Sequence, residues 1–203
     1  MEIEFHDHEI IFNKDLNFLD KLVIEFCGIL DSCKINYVIV SGYISILFGR
    51  TRTTEDVDIF IEKIPEGKFF EFYNALEAKW FWIINSASAP DAFEILSENL
   101  AIRVAEKEKS LPNFEIKFAR KDTDFYSLER RVKLMLNGNK IFISPLEMNI
   151  AYKLLLGSHK DFEDAYHIYK LLKKYLDTEE LKRLIKMLGV EKVAKKELAD
   201  LYV

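Results

Sequence analysis

Two acids one residue apart on an apolar run, Asp56 and Asp58 in DVDIFIE, are the side chains whose spacing most plainly suits chemistry in this chain. In an extended strand alternate side chains share a face, so both carboxylates project together while Val57, Ile59 and Ile61 point the other way into a core. Carboxylates held this close repel, and a divalent cation bridging them turns the repulsion into a binding site. Oxygen-only ligands favour Mg²⁺ or Mn²⁺ over zinc. Taken alone, a D-x-D reads first as a strand end whose acids reach solvent, so its surroundings decide.

Those surroundings begin upstream. YVIV at 37–40 has the β-branched and aromatic content of a strand and is ended by Ser41-Gly42, after which 43–48 reads as a short apolar helix closed by Gly49. A strand feeding a helix through small residues leaves backbone N–H groups at the helix start, an arrangement suited to phosphate. Arg50, Arg52, Thr53 and Thr54 then bring donors next to the acids.

Ser41-Gly42, Gly49, Arg52, Thr54, Asp56 and Asp58 together resemble the signature of the polymerase-β-type nucleotidyltransferase superfamily: a G-G or G-S turn, a short helix, then R-x-T-x-D-h-D. Two positions depart from the pattern. Ser41 replaces the first glycine, and Ile44 stands where a small residue is usual, so that its bulk would narrow the space beside the phosphates. The resemblance implies transfer of a nucleoside monophosphate from an NTP to an acceptor hydroxyl, with pyrophosphate released and two metal ions, Mg²⁺ or Mn²⁺, supplying the electrostatics. Asp56 and Asp58 become catalytic metal ligands that need a third acid on a later strand. NFEIKF at 113–118 alternates, with Phe114, Ile116 and Phe118 on one face and Glu115 and Lys117 on the other, which makes Glu115 the candidate. Asp122 and Asp124 compete for that role, but KDTD reads as the cap of a helix starting near Phe125.

A second stretch, 144–164, resembles the subset related to abortive-infection toxins and to aminoglycoside or lincosamide nucleotidyltransferases. There a K-L element precedes K-D-x-x-D, matched here by Lys153-Leu154 and by Lys160, Asp161 and Asp164. The implied nucleotide contacts are Ser41 and Gly42 through the backbone, with Arg52, Thr54, and Lys153 or Lys160 facing the triphosphate. The acceptor would be tRNA or another RNA, a small molecule, or a protein side chain. The rival reading is an inactive module of the same fold that holds a nucleotide or a protein partner without turnover, an antitoxin among the partners to consider.

Composition bounds these readings. With 203 residues and 49% hydrophobic content, the expectation is one two-part domain, an α/β core at 1–123 and a hairpin with a helical part at 124–203. No run reaches membrane-spanning length and no signal-peptide pattern opens the chain, so a cytoplasmic enzyme is expected. A net charge of −5 argues against broad salt-driven binding to nucleic acid, and the bases at Arg120, Lys121, Arg130, Arg131 and Lys133 read as a solvated helix face. Cys27 and Cys33 read as packing residues, and His6 with His8 as a solvated strand. The chain has no glutamine, while Lys and Glu are plentiful, which points to a thermophilic source.

The elements that must position the acids follow from periodicity. Leu16, Leu19, Val23, Phe26 and Leu30 form the stripe of an amphipathic helix over 15–33. Strands are expected at 37–40, 57–62, 80–85, 100–105 and 114–118, helices at 68–78 and 91–97, and a hairpin at 132–143 turning on Asn137-Gly138. Ser144 should cap a helix entered at Pro145 and ending at Gly157, and further helices are expected at 160–175, 179–188 and 191–201. Trp80, Phe81 and Trp82 read as sheet residues before they read as a base-stacking platform. The C-terminal helices suit either a homodimer face or packing as a cap. The fold class expected is a mixed α/β nucleotidyltransferase-type sheet followed by a helical cap.

Overall fold

The computed structural model describes residues 2–6 and 9–202. Among them the strands are β1 (Glu2–His6), β2 (Glu9–Asn13), β3 (Tyr37–Ile39), β4 (Asp56–Ile61), β5 (Phe81–Ile83), β6 (Ile102–Glu106), β7 (Asn113–Phe118), β8 (Val132–Leu136) and β9 (Asn139–Ile143). They form a single 9-stranded mixed sheet in the order β1-β2-β8-β9-β3-β4-β7-β6-β5. The helices are α1 (Phe18–Ser32), α2 (Gly42–Leu47), α3 (Glu66–Ala78), α4 (Ala89–Ser97), α5 (Asp122–Glu129), α6 (Leu146–Leu156), α7 (His159–Leu172), α8 (Thr178–Met187) and α9 (Glu191–Glu197).

Period-two alternation decides which way β4 and β7 face. Val57, Ile59, Ile61, Phe114 and Ile116 are buried in the main core, with Phe26 of α1 stacked on Phe114 at 3.8 Å between ring centroids and Phe81 set edge-on to both. Such ring clusters bury large apolar areas in defined geometries, which fixes α1 against the centre of the sheet. α1 is held at its start by a reciprocal capping box between Asn17 and Asp20. On the opposite face Val38, Val40, Phe60 and Ala119 form a smaller cluster under Leu128 of α5.

The hairpin turns where Asn137-Gly138 predicts, both residues having positive φ (48° and 80°). It lies inside the sheet, β8 pairing with β2 and β9 with β3, although the sequence groups it with the helical part of the chain. Of the N-terminal strands the sequence reads only the stretch at His6 and His8 as a solvated strand; the alternation of β2 that buries Ile10 and Phe12 went unread. His6 is exposed beside Glu4, and His8 lies outside the described residues. Trp80 takes φ +60° before the short β5, the edge strand opposite β1, where Phe81 is buried and the two tryptophans are exposed. Cys27 is a core residue whose thiol burial pushes up to about 12. No helix among the described residues is long and apolar enough to cross a membrane.

Candidate active site

β4 and β7 run parallel in a register that sets Asp58 directly beside Glu115 and Asp56 beside Asn113. The expected third acid therefore shares the face of the first pair, one strand away. Thr54 donates its hydroxyl to both the backbone oxygen (3.0 Å) and the Oδ1 (3.2 Å) of Asp56, fixing that carboxylate at the strand entrance. The Asp58 carboxyl is pushed up to about 6 by burial, then by the neighbouring charges of Asp56 and Glu115, with Lys117 and the Ser41 hydroxyl partly offsetting them. Lys117 Nζ lies 2.7 Å from Glu115 Oε1.

Asp58 is the one of the three acids that lines a cleft of about 210 Å³, together with Ser41, Phe60, Lys117, Ser127, Asn149 and Tyr152. Ile44 does not narrow it. Both Tyr43 and Ile44 are fully buried in the main core, Tyr43 donating to Asp20 at 3.0 Å, so the bulk expected beside the phosphates points away.

The turn before α2 is conformationally costly. Ser41 has φ +63° and ψ −127°, a region that glycine enters freely and that other residues occupy only when their surroundings force it. Its backbone N–H donates to Asn149 Oδ1 at 3.1 Å, which leaves Asn149 Nδ2 buried without a partner. A Cβ at Gly42 would come within 2.7 Å of Arg52 Nη2, the atom that donates to Gly42 O at 3.2 Å, so a larger residue there would displace the guanidinium.

Arg52 and Lys153 meet at Asp164. Asp164 is fully buried and takes Arg52 in a fork, Nε to Oδ1 at 3.2 Å and Nη2 to Oδ2 at 2.9 Å, while Lys153 Nζ lies 2.9 Å from Oδ2 and 3.1 Å from Asp161 Oδ1. Arg50 adds contacts to Asp164 and Glu163. Burial works against the Asp164 carboxylate, but the bonds from Arg52 and Lys153 outweigh it and hold its pKa below the usual range. Lys153, Asp161 and Asp164 of these two elements thus form, with Arg52, an ionic lock that fastens α6 and α7 to the loop before β4. Lys153, 1% exposed, has its ammonium engaged in that lock, and neither it nor Arg52 walls the cleft. Lys160 is exposed on the first turn of α7.

Asp124 performs the capping role expected of it, Oδ2 accepting the backbone N–H groups of Arg120 (3.1 Å) and Lys121 (3.0 Å). Ser144 does not cap α6 through its side chain; its hydroxyl donates to Ser127 Oγ at 3.2 Å, and Pro145 occupies the cap position. Sequence reasoning missed Asn149, buried on α6 one turn before Lys153, and a polar residue within that apolar run was the available signal.

Among the described residues no three acidic, His or Cys side chains are gathered at ligating distance as they stand. The donor chemistry nevertheless fits a hard divalent cation, because three carboxylates share one face and two of them raise the pKa of the third.

No family model matches the chain, and no curated protein matches it in sequence. Solved structures do resemble it. A nucleotidyltransferase-like antigenic protein from Paracoccidioides brasiliensis superposes with a TM-score of 0.52 at 18% identity, covering 88% of this chain and 91% of that one. The fold is that of the nucleotidyltransferases. ANT(2'')-Ia in complex with adenylyl-2''-tobramycin gives 0.53 at 11% identity over 83% of this chain and 95% of that one. The solution structure of the same antibiotic-resistance factor gives 0.54 at 10% identity over 89% and 96%. The nucleotidyltransferase fold places the acids of this chain on two neighbouring central strands of the sheet, β4 and β7.

Proposed function

We propose that the protein is a metal-dependent nucleotidyltransferase that moves a nucleoside monophosphate from an NTP to an acceptor hydroxyl and releases pyrophosphate. The observation that carries this reading is the β4–β7 register, which sets Glu115 beside Asp58 on the face that Asp56 shares. Asp56, Asp58 and Glu115 would hold Mg²⁺ or Mn²⁺, which supplies charge neutralisation for the triphosphate and acidifies the attacking hydroxyl. The Gly42 amide and the Ser41 hydroxyl serve the phosphate oxygens, the Ser41 amide being committed to Asn149. Thr54 orients Asp56. Arg52 and Lys153 act through Asp164 by holding the turn, and Lys160 offers an exposed charge at the start of α7.

The acceptor is a hydroxyl on a small molecule, an RNA such as tRNA, or a protein, and the workplace is the cytoplasm. The test incubates purified protein with Mg²⁺ or Mn²⁺, each α-labelled NTP, and in separate arms total RNA, cell lysate or pooled hydroxylated small molecules. Metal-dependent label transfer that disappears in Asp58→Ala supports the reading. Transfer that survives in the variant, or no transfer to any acceptor, overturns it.

A further inference from the structure

Polyphosphate chemistry needs positive charge in the cleft besides metal, and the basic residues marked by sequence do not provide it there. Arg52 and Lys153 are bound by Asp164, and among the described residues the single Lys or Arg on the cleft wall is Lys117. Its β7 position pairs with Phe60 of β4, two residues along the ladder from the Asp58–Glu115 pair and so next to it on the same face. Its ammonium lies 2.7 Å from Glu115 Oε1, with its side chain 39% exposed. An ammonium on a flexible stem can change partners at little cost, whereas the buried Lys153 cannot.

We propose that Lys117 is the resident counter-cation of this site, neutralising Glu115 while no metal is bound and turning to the anionic oxygens of the entering polyphosphate once Glu115 is engaged by metal. The inference rests on the nucleotidyltransferase reading and goes beyond it by assigning a residue that no signature motif contains. Two opposed consequences follow. Removing the ammonium frees Glu115, so metal alone should bind more tightly; it also removes a charge-assisted contact, so polyphosphate should bind more weakly.

The test measures two affinities by titration calorimetry at fixed ionic strength in wild type, Lys117→Met and Lys117→Arg. The probes are Mn²⁺ alone, and inorganic tripolyphosphate in saturating Mg²⁺. Lys117→Met should bind Mn²⁺ several-fold more tightly and tripolyphosphate about tenfold more weakly, the size expected of one charge-assisted contact, while Lys117→Arg stays near wild type for tripolyphosphate. A merely structural lysine would not shift the two affinities in opposite directions. If Lys117→Met matches wild type for both probes, or weakens both, the inference is overturned while the proposed function stands. Wild type that binds Mn²⁺ but no tripolyphosphate overturns both.

Discussion

Asp58 on β4 and Glu115 on β7 are Cα partners in a parallel ladder, so two acids 57 positions apart in sequence become lateral neighbours on one face of the sheet. Burial of Asp58, and after it the neighbouring charges of Asp56 and Glu115, makes its ionised form costly. Asp58 has a folded-state pKa of about 6 against an ordinary 3.8, so its favourable contribution to stability is complete below pH 3.8 and is lost as pH rises through 6. Above pH 6 the ionised carboxylate destabilises the metal-free fold. Asp58→Asn should therefore raise metal-free stability at pH 8 by about 1–3 kcal/mol while abolishing label transfer. Denaturant melts at pH 4 and pH 8 check it, with the gain confined to the higher pH.

Metal affinity should share that pH dependence. Protonating Asp58 removes a ligand charge, so Mn²⁺ binding to the wild-type protein should weaken steeply as pH falls below about 6, and Asp58→Asn should show a flat profile with low affinity throughout. Calorimetric titrations at about one to two pH units on either side of the Asp58 pKa of about 6 should show this difference.

Ser41 holds a backbone conformation suited to glycine. Ser41→Gly should leave stability unchanged or raise it by up to about 1 kcal/mol, strain relief being offset by the entropy of a freer unfolded chain. Ser41→Val, which is β-branched, should lose about 2–3 kcal/mol. Thermal unfolding of the two variants side by side separates strain from the loss of the hydroxyl.

How far all this could be read from the sequence differs residue by residue. The two-residue period of 56–61 and 113–118 placed Asp56, Asp58 and Glu115 on the non-core faces of their strands, because burial of Val57, Ile59, Phe114 and Ile116 leaves the acids no other side. That the strands would be parallel neighbours in this register depends on pairings over long chain separations, which local pattern does not encode. Lys153 was legible as a helix residue but not as a buried cation, since helical spacing says nothing of an aspartate on the next helix that neutralises it. Ser144 looked like a cap by its position before Pro145, yet the hydroxyl of Ser127, delivered by α5, draws its side chain away.

The ionic lock should be asymmetric under mutation. Asp164→Ala leaves Arg52 and the almost fully buried Lys153 without their shared partner, and should cost about 3–5 kcal/mol. Lys153→Met should cost clearly less, because Asp164 keeps its fork with Arg52 and the methionine stem fills the same space. Urea midpoints of the two variants rank them, and equal losses would contradict the assigned geometry.

The central claim is that Asp56, Asp58 and Glu115 together receive a divalent cation beside the Ser41-Gly42 turn. Anomalous diffraction from crystals grown with Mn²⁺ and a non-hydrolysable NTP analogue tests it most directly. The account predicts an anomalous peak ligated by the Asp56 and Asp58 carboxylates, with Glu115 turned from Lys117 toward it and the analogue's phosphates against the Gly42 amide. A saturating soak that leaves those carboxylates without manganese, or that places the metal and triphosphate elsewhere on the protein, would contradict it.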